Sequence, residues 1–203
     1  MEIVKASAML LDEEPEGDPW LRRLEYYGRI SWKSEDKITD ESAPRFIKML
    51  RDVGHESVLE HVSLSVKFVV DRGVSHEIVR HRIASYTQES TRYCNYKKKG
   101  VVFIEPPLPD DDARKLWFHS VSVAEATYLN MLDRGISPQI ARSVLPNSLK
   151  TELFMTANLR EWRHFFKLRT AKEAHPQMRE VTIPLLRQFQ SAVPVVFDDI
   201  TVE

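Results

Sequence analysis

The densest concentration of polar chemistry in the chain runs from Arg80 to Tyr93, as Arg80-His81-Arg82-Ile83-Ala84-Ser85-Tyr86-Thr87-Gln88-Glu89-Ser90-Thr91-Arg92-Tyr93. A guanidinium fork matches phosphate oxygens and carbonyl edges, and Ser85, Thr87, Ser90 and Thr91 add hydroxyl donors. From Arg80 to Lys99 six Lys or Arg stand against one acid, Glu89, in a chain whose net charge is −1. A local basic cluster in a near-neutral protein suits a small anionic ligand such as a nucleotide. The alternative is a solvated basic turn, and Lys97-Lys98-Lys99 fits that description. If Arg80, His81 and Arg82 lie on a helix, at ~100° per residue they spread over about 200°. They would then serve two ligands, or two parts of a large one.

A second cluster is Asn158-Leu159-Arg160-Glu161-Trp162-Arg163-His164-Phe165-Phe166-Lys167-Leu168-Arg169. On a helix, Trp162, Phe165 and Phe166 face the core, and Arg160, His164 and Lys167 line another face. Arg169 falls on the apolar side with Trp162. A buried guanidinium there needs an anionic or carbonyl partner; otherwise the helix ends first and Arg169 reaches water or pairs with Glu173.

Two nucleophiles and one metal pattern compete for attention. Cys94 is the single cysteine, and it reads as a small packed residue. Ser90 has no evident base beside it, which a serine nucleophile requires, so phosphate donation suits it better. His55-Glu56 with Glu60-His61, and His76-Glu77 with His81, approach the zinc motif HExxH with the wrong spacing. On a helix those histidine pairs lie about 120° and 140° apart instead of on one face. No metal is expected.

The elements that must carry these residues follow from periodicity. Residues 2–10 read as a short strand, and 13–19 as a loop in which Asp18-Pro19 opens a helix to about Trp32. A second helix spans about Glu41 to Val53, with Phe46, Met49, Leu50 and Val53 in helical spacing, and Gly54 stops it. Residues 62–70 alternate and then turn apolar, as a strand entering a core does. After Gly73, residues 75–85 read as a helix. Residues 101–107 form a short strand, and 110–134 a long helix ended by Gly135. Ser137-Pro138 opens a further helix to about Pro146. Residues 153–159 read as a strand, 160–169 as a helical turn or more, and 176–192 as the last helix. Helices mixed with a few non-adjacent strands give an α+β class: one domain over residues 1–203, with helices around a small, mainly antiparallel sheet.

Composition bounds the rest. The 203 residues are 42% hydrophobic and 29% charged, enough for a core and ordinary for a globular chain. No apolar run approaches the ~20 residues of a membrane helix, and the acidic N-terminal stretch lacks the basic start of a secretory signal. The lone cysteine excludes an internal disulfide and points to a reducing, cytoplasmic setting. A sequence pI near 6.7 argues against a dedicated nucleic-acid surface. An RNA- or nucleotide-binding module built on residues 80–99, with Tyr86, Tyr93 and Tyr96 stacking bases, remains the alternative to an enzyme.

Arg80-His81-Arg82, followed after seven residues by Ser90, resembles the signature of flavin-dependent thymidylate synthases. Gly54-His55-Glu56-Ser57 with Glu60-His61, Ala141-Arg142 with Leu145-Pro146, Asn158-Leu159-Arg160 and Leu168-Arg169 resemble further segments of that family, in order, over roughly residues 25–192. The resemblance implies reductive methylation of dUMP at C5 to dTMP. Methylenetetrahydrofolate would be the carbon donor, FAD reduced by NADPH the hydride source, and no cysteine nucleophile would take part.

It also implies roles. Ser31, His55, Ser57, Glu60, Arg80, His81, Arg82, Asn158, Arg160 and His164 would line the FAD site. Ser90, Arg92 and Arg142 would hold the dUMP phosphate, Glu77, Arg80 and Gln88 would add nucleotide contacts, and Arg169 would lie over the uracil carbonyls, giving that guanidinium its partner. Arg169 and Ser90 are the catalytic candidates, and a homotetramer with shared sites is implied. Three positions depart from the family pattern. Glu77 stands where a glutamine is common, Thr87-Gln88 replaces an Asn-Glu pair, and His164 stands where asparagine occurs.

Overall fold

A computed structural model describes residues 1–12, 19–98 and 100–202; the proposed cap Asp18 and most of the 13–19 loop lie outside them. The chain divides into two compact units: Met1–Ser7, Phe68–Arg80 and Tyr86–Phe154 form one, and Ala8–Lys67, His81–Ser85 and Met155–Glu203 the other. The class is α+β, as the sequence implies.

In the first unit, strand β1 (Glu2–Val4) pairs in parallel with β5 (Val102–Ile104), Ile3 opposite Phe103. The long helix α4 (Asp111–Asp133) starts where the Asp110 side chain accepts from the Ala113 N–H at 2.8 Å, satisfying one orphan donor of the first turn. It stops at Gly135, whose φ of +79° suits a residue without a side chain. Its apolar face meets Val101, Phe103, Ala141 of the short helix α5 (Pro138–Ala141) and Leu149 in one buried cluster with Val121 and Tyr128.

In the second unit, α1 (Pro19–Ile30) lies on α2 (Ser42–Asp52). Gly28 permits the contact: a Cβ there would come within 2.7 Å of the Phe46 ring. Glu25 is fully buried between them, accepting from Arg29 at 2.7 and 2.9 Å and from the Ser42 hydroxyl at 2.7 Å, so the buried charge is paired. Helices α6 (Leu159–Arg169), α7 (Pro176–Ala192) and α8 (Pro194–Phe197) enclose an aromatic core of Trp162, Phe165, Phe166, Phe189 and Phe197. The core face expected for residues 162–166 is therefore the one observed.

A four-stranded sheet has the order β2 (Ser7–Leu10), β3 (Ser63–Asp71), β6 (Lys150–Asn158), β4 (Ala84–Gln88). Leu159 donates to Val62 at one end and Arg72 to Leu149 at the other, so β3 and β6 run antiparallel. Four readings need correction. Residues 2–10 make two strands in different sheets. Strand β6 begins three residues earlier than the apolar run suggested. The helix opened by Pro138 is only one turn, followed by a 3-10 turn at Arg142–Val144.

The helix read over residues 75–85 is instead α3 (Arg72–Ile78), and residues 84–88 are strand β4. The physical reason lies in the caps. The Asp71 side chain accepts from Val74 N–H at 2.7 Å, starting the helix early. The Tyr86 hydroxyl donates to the Ile78 carbonyl at 3.0 Å, closing it there.

Candidate active site

Because α3 ends at Ile78, Arg80-His81-Arg82 occupies the turn into β4. The helical fan does not arise: Arg80 and Arg82 are exposed, and His81 turns inward.

In the first unit the loop after β4 carries Ser90, Thr91 and Arg92. The Ser90 carbonyl accepts from the Tyr93 and Cys94 N–H groups, folding the loop back on itself, and the Ser90 hydroxyl accepts from Arg92 N–H at 3.3 Å. Arg142, exposed on the 3-10 turn, reaches the same loop and donates to the buried Thr91 hydroxyl at 2.8 Å. Ser90 and Arg142 thus meet at one loop, with Arg92 over the Tyr93 ring. Beneath it, Lys150 bridges Glu89 and Glu152 at 3.2 and 2.7 Å, and the Tyr96 hydroxyl donates to Glu89 at 2.9 Å. Burial and the neighbouring Glu89 charge push the Tyr96 phenol well up, so it stays a donor. Gln88 donates its amide to Ser75 and Thr151 at 2.9 and 3.2 Å. Glu77 is half-buried on α3.

The second unit carries an open cleft of about 550 Å³, within the usual span for a ligand pocket. Glu60, Asn158, Arg160 and His164 line it, together with Glu161 and Lys167, and Ile83 gives an apolar wall. Asn158 caps α6, its side-chain oxygen accepting from Glu161 N–H at 2.8 Å, which fixes the amide group and its remaining N–H donors. Arg160 pairs with Glu60 at 2.5 Å. Both are about half exposed, so the pair is easily exchanged for a ligand. His55 is exposed, its ring 6.1 Å from that of Trp32, and Ser31 and Ser57 are also exposed.

Behind this cleft lies a chain of three side chains. The Glu161 carboxylate is 3.0 Å from His81 Nδ1, and Arg169 Nε donates to His81 Nε2 at 3.1 Å. His81 is only 4% exposed. An arginine Nε can only donate, so His81 Nε2 must accept, and the proton sits on Nδ1 facing Glu161. Burial lowers the His81 pKa, with the Arg169 charge adding to the effect. The Glu161 hydrogen bond opposes it without reversing the direction. His81, Glu161 and His164 also bring metal-ligand atoms within 4.8 Å of one another. Both His81 nitrogens, however, are engaged inside the protein, one of them by a cation.

Sequence reading passed over Glu161. Its signal is present, an acid three residues after the Asn158 cap, but that spacing is the ordinary capping box. Here the carboxylate reaches His81.

Residues 11–195 match the family model described as thymidylate synthase complementing protein, Thy1. A flavin-dependent thymidylate synthase of Mycobacterium bovis is 35% identical over 93% of this chain and 82% of its own length. The chain belongs to this family. A second flavin-dependent thymidylate synthase, from Pyrococcus furiosus, is 33% identical over 83% of the chain and 71% of its own length. The solved structure of the UMP/dUMP methylase PolB from Streptomyces cacaoi, bound with 5-Br dUMP, superposes with a TM-score of 0.82. It is 25% identical and covers 98% of this chain and 96% of the methylase. As a flavin-dependent thymidylate synthase family member the chain carries the Arg80-His81-Arg82 part of its signature on the turn between α3 and β4, where side chains are spread by a bend instead of a helix, and Ser90 on the loop after β4. No helix among the described residues is long and apolar enough to cross a membrane.

Proposed function

We propose that the protein methylates dUMP at C5 to give dTMP, with methylenetetrahydrofolate as carbon donor and a flavin, FAD, reduced by NADPH. The observation that carries this reading is the placement of Arg169. It is half-buried at the end of α6 and steered through Nε by a neutral histidine, in a chain of this family. A guanidinium held in this way is suited to hydrogen-bond the uracil carbonyls and to stabilise charge that develops there as C5 attacks the carbon donor.

The donor chemistry of the second unit fits a flavin. The cleft offers Asn158, Arg160, His164 and Lys167 as donors beside an apolar Ile83 wall. Ser31, His55, Ser57, Glu60, Arg80, His81 and Arg82 are the further family positions assigned to it. When bound, the flavin supplies the hydride. The chain's own residues orient and polarise: Ser90, Arg92 and Arg142 hold the dUMP phosphate, Glu77, Arg80 and Gln88 add nucleotide contacts, and Arg169 meets the base. Cys94 takes no part. In a homotetramer, residues of several copies would build each site. The lone cysteine supports a reducing, cytoplasmic setting.

A binding module without chemistry is disfavoured. The basic stretch is divided: Lys97 pairs with Asp133 at 2.6 Å, Arg142 and the 90–92 loop turn toward one another, and His81 is buried.

The test is tritium release from dUMP tritiated at C5, with FAD, methylenetetrahydrofolate and NADPH and each omitted in turn. Release that requires both flavin and folate is expected. No release from a folded, yellow protein would break the link to thymidylate.

A further inference from the structure

The geometry points to Glu161 and His81 as positioning residues that set the direction of the Arg169 guanidinium, acting as a relay from α6's first turn to its last residue. The inference rests on the thymidylate synthase reading for its role in turnover, but the relay itself can be tested without it.

The argument starts from hydrogen-bond polarity. A carboxylate only accepts and a guanidinium only donates, so a neutral imidazole between them has a single compatible tautomer. Glu161 accepts from Nδ1–H, and Nε2 is left as an acceptor for Arg169. Without Glu161, both tautomers become accessible. One of them would place Nε2–H against Arg169 Nε–H, two donors face to face. A second-shell carboxylate that selects the tautomer of a functional histidine is a recurrent device.

Packing leaves the ring little freedom. His81 lies 4.9 Å from the Phe165 ring and 5.5 Å from His164, centroid to centroid, both edge-on. Glu161 is 8% exposed and sits at the start of α6, where the helix dipole favours its negative charge. Arg169 ends the same helix, and its carbonyl accepts from the Thr182 hydroxyl at 2.8 Å, so its backbone is tied to α7. What the main chain fixes in position, the histidine fixes in direction. Positioning of this kind affects a transition state more than it affects folding.

The test has two parts. Nitrogen-15 NMR of histidine-labelled protein, with His81→Gln to assign the signal, is expected to show Nδ1 protonated and Nε2 unprotonated at neutral pH. A protonated Nε2 would overturn the relay whatever the protein does with dUMP.

In turnover assays Glu161→Ala is expected to lower kcat/KM for dUMP roughly ten- to a hundredfold, the loss of a hydrogen bond to a charged group. Flavin absorbance should be retained, and Glu161→Gln, whose carbonyl can still accept from Nδ1–H, should recover most of the activity. In an Arg169→Ala background, adding Glu161→Ala should cost no more than about twofold, because the two residues act as one unit. Additive losses would show that Glu161 acts elsewhere and would overturn the inference. Should Glu161→Ala not fold, the Gln variant and the NMR signal still decide it. A wild-type protein that releases no tritium yet shows the expected tautomer would leave the relay standing and remove only the thymidylate reading.

Discussion

Arg163→Met is the perturbation whose cost can be worked most directly from contacts. Arg163 is 2% exposed. Its Nε donates to Glu56 at 2.8 Å, its two terminal nitrogens clasp Asp199 at 2.6 and 2.8 Å, and one of them also meets the Val196 carbonyl. It therefore pins the segment after α8 to the helix that carries Arg160, His164 and Arg169. Methionine keeps the apolar stem but strands Glu56 and leaves Asp199 only the more distant Arg51, 3.6 Å away. Removing one partner of a buried ion pair costs about 3–5 kcal/mol. Asp199 is 35% and Glu56 18% exposed, so both regain some hydration, and the discounted loss is roughly 2–4 kcal/mol. For a chain of 203 residues this lowers the melting temperature by roughly 4–16 °C.

The pH dependence carries a sign. Burial raises the Asp199 pKa, but Arg163 and Arg51 outweigh it and hold the carboxyl below its ordinary value. A depressed carboxyl contributes stability that is complete above its unfolded pKa, about 3.9, and is lost as pH falls through the folded one. Urea unfolding of both proteins should show the gap at pH 7 and its narrowing below about pH 4. A gap under about 1 kcal/mol at pH 7, the size of an exposed pair, or one unchanged down to pH 3, would refute the reasoning.

Arg169→Ala should cut thymidylate formation by about a hundredfold or more, the cost of losing one oxyanion donor, while flavin absorbance persists; wild-type turnover would remove Arg169 from the mechanism. Cys94→Ala should keep full activity in the tritium assay, and a well-folded but dead variant would restore a cysteine route. Gly28→Ala should destabilise despite a helix-propensity gain of ~1 kcal/mol, because its Cβ would press on Phe46 and overpacking costs about 1–3 kcal/mol. A raised urea midpoint would show that the ring yields.

The fold was most legible where one period ran long enough to dominate. Helix α2 announced itself by apolar spacing, α1 by the Asp18-Pro19 start signal and α4 by its length and by Gly135 at its end, while the Asp110 cap of α4 emerged only in the structure. The stretch from 72 to 88 misled because its local pattern is ambiguous. Ile78, Val79 and Ile83 suit a helix, while Ala84, Tyr86 and Gln88 alternate as a strand does. What decides between them is a hydroxyl from Tyr86 capping a carbonyl eight residues back, together with the Asp71 side chain at the other end. Neither is visible as periodicity.

The site divides along the same line. Ser90 and Arg92 stood out as members of one dense run of hydroxyl and guanidinium donors, a run that also suits a solvated turn, whereas Arg142 was reached only through the family resemblance. Arg169 could be singled out because its helical position conflicts with its charge, and the sequence supplied the question without the answer. Its observed neighbour, His81, lies 88 residues away in the chain, beyond any local rule, and Glu161 was hidden in a pattern with a commonplace explanation. The signature histidine is therefore better understood from its hydrogen-bond polarity than from its place in a motif. It is flanked by two exposed arginines but is itself buried, accepting from one cation and donating to one carboxylate. A substitution that kept its size but not that polarity, such as His81→Phe, would preserve the packing against Phe165 and lose the direction of Arg169.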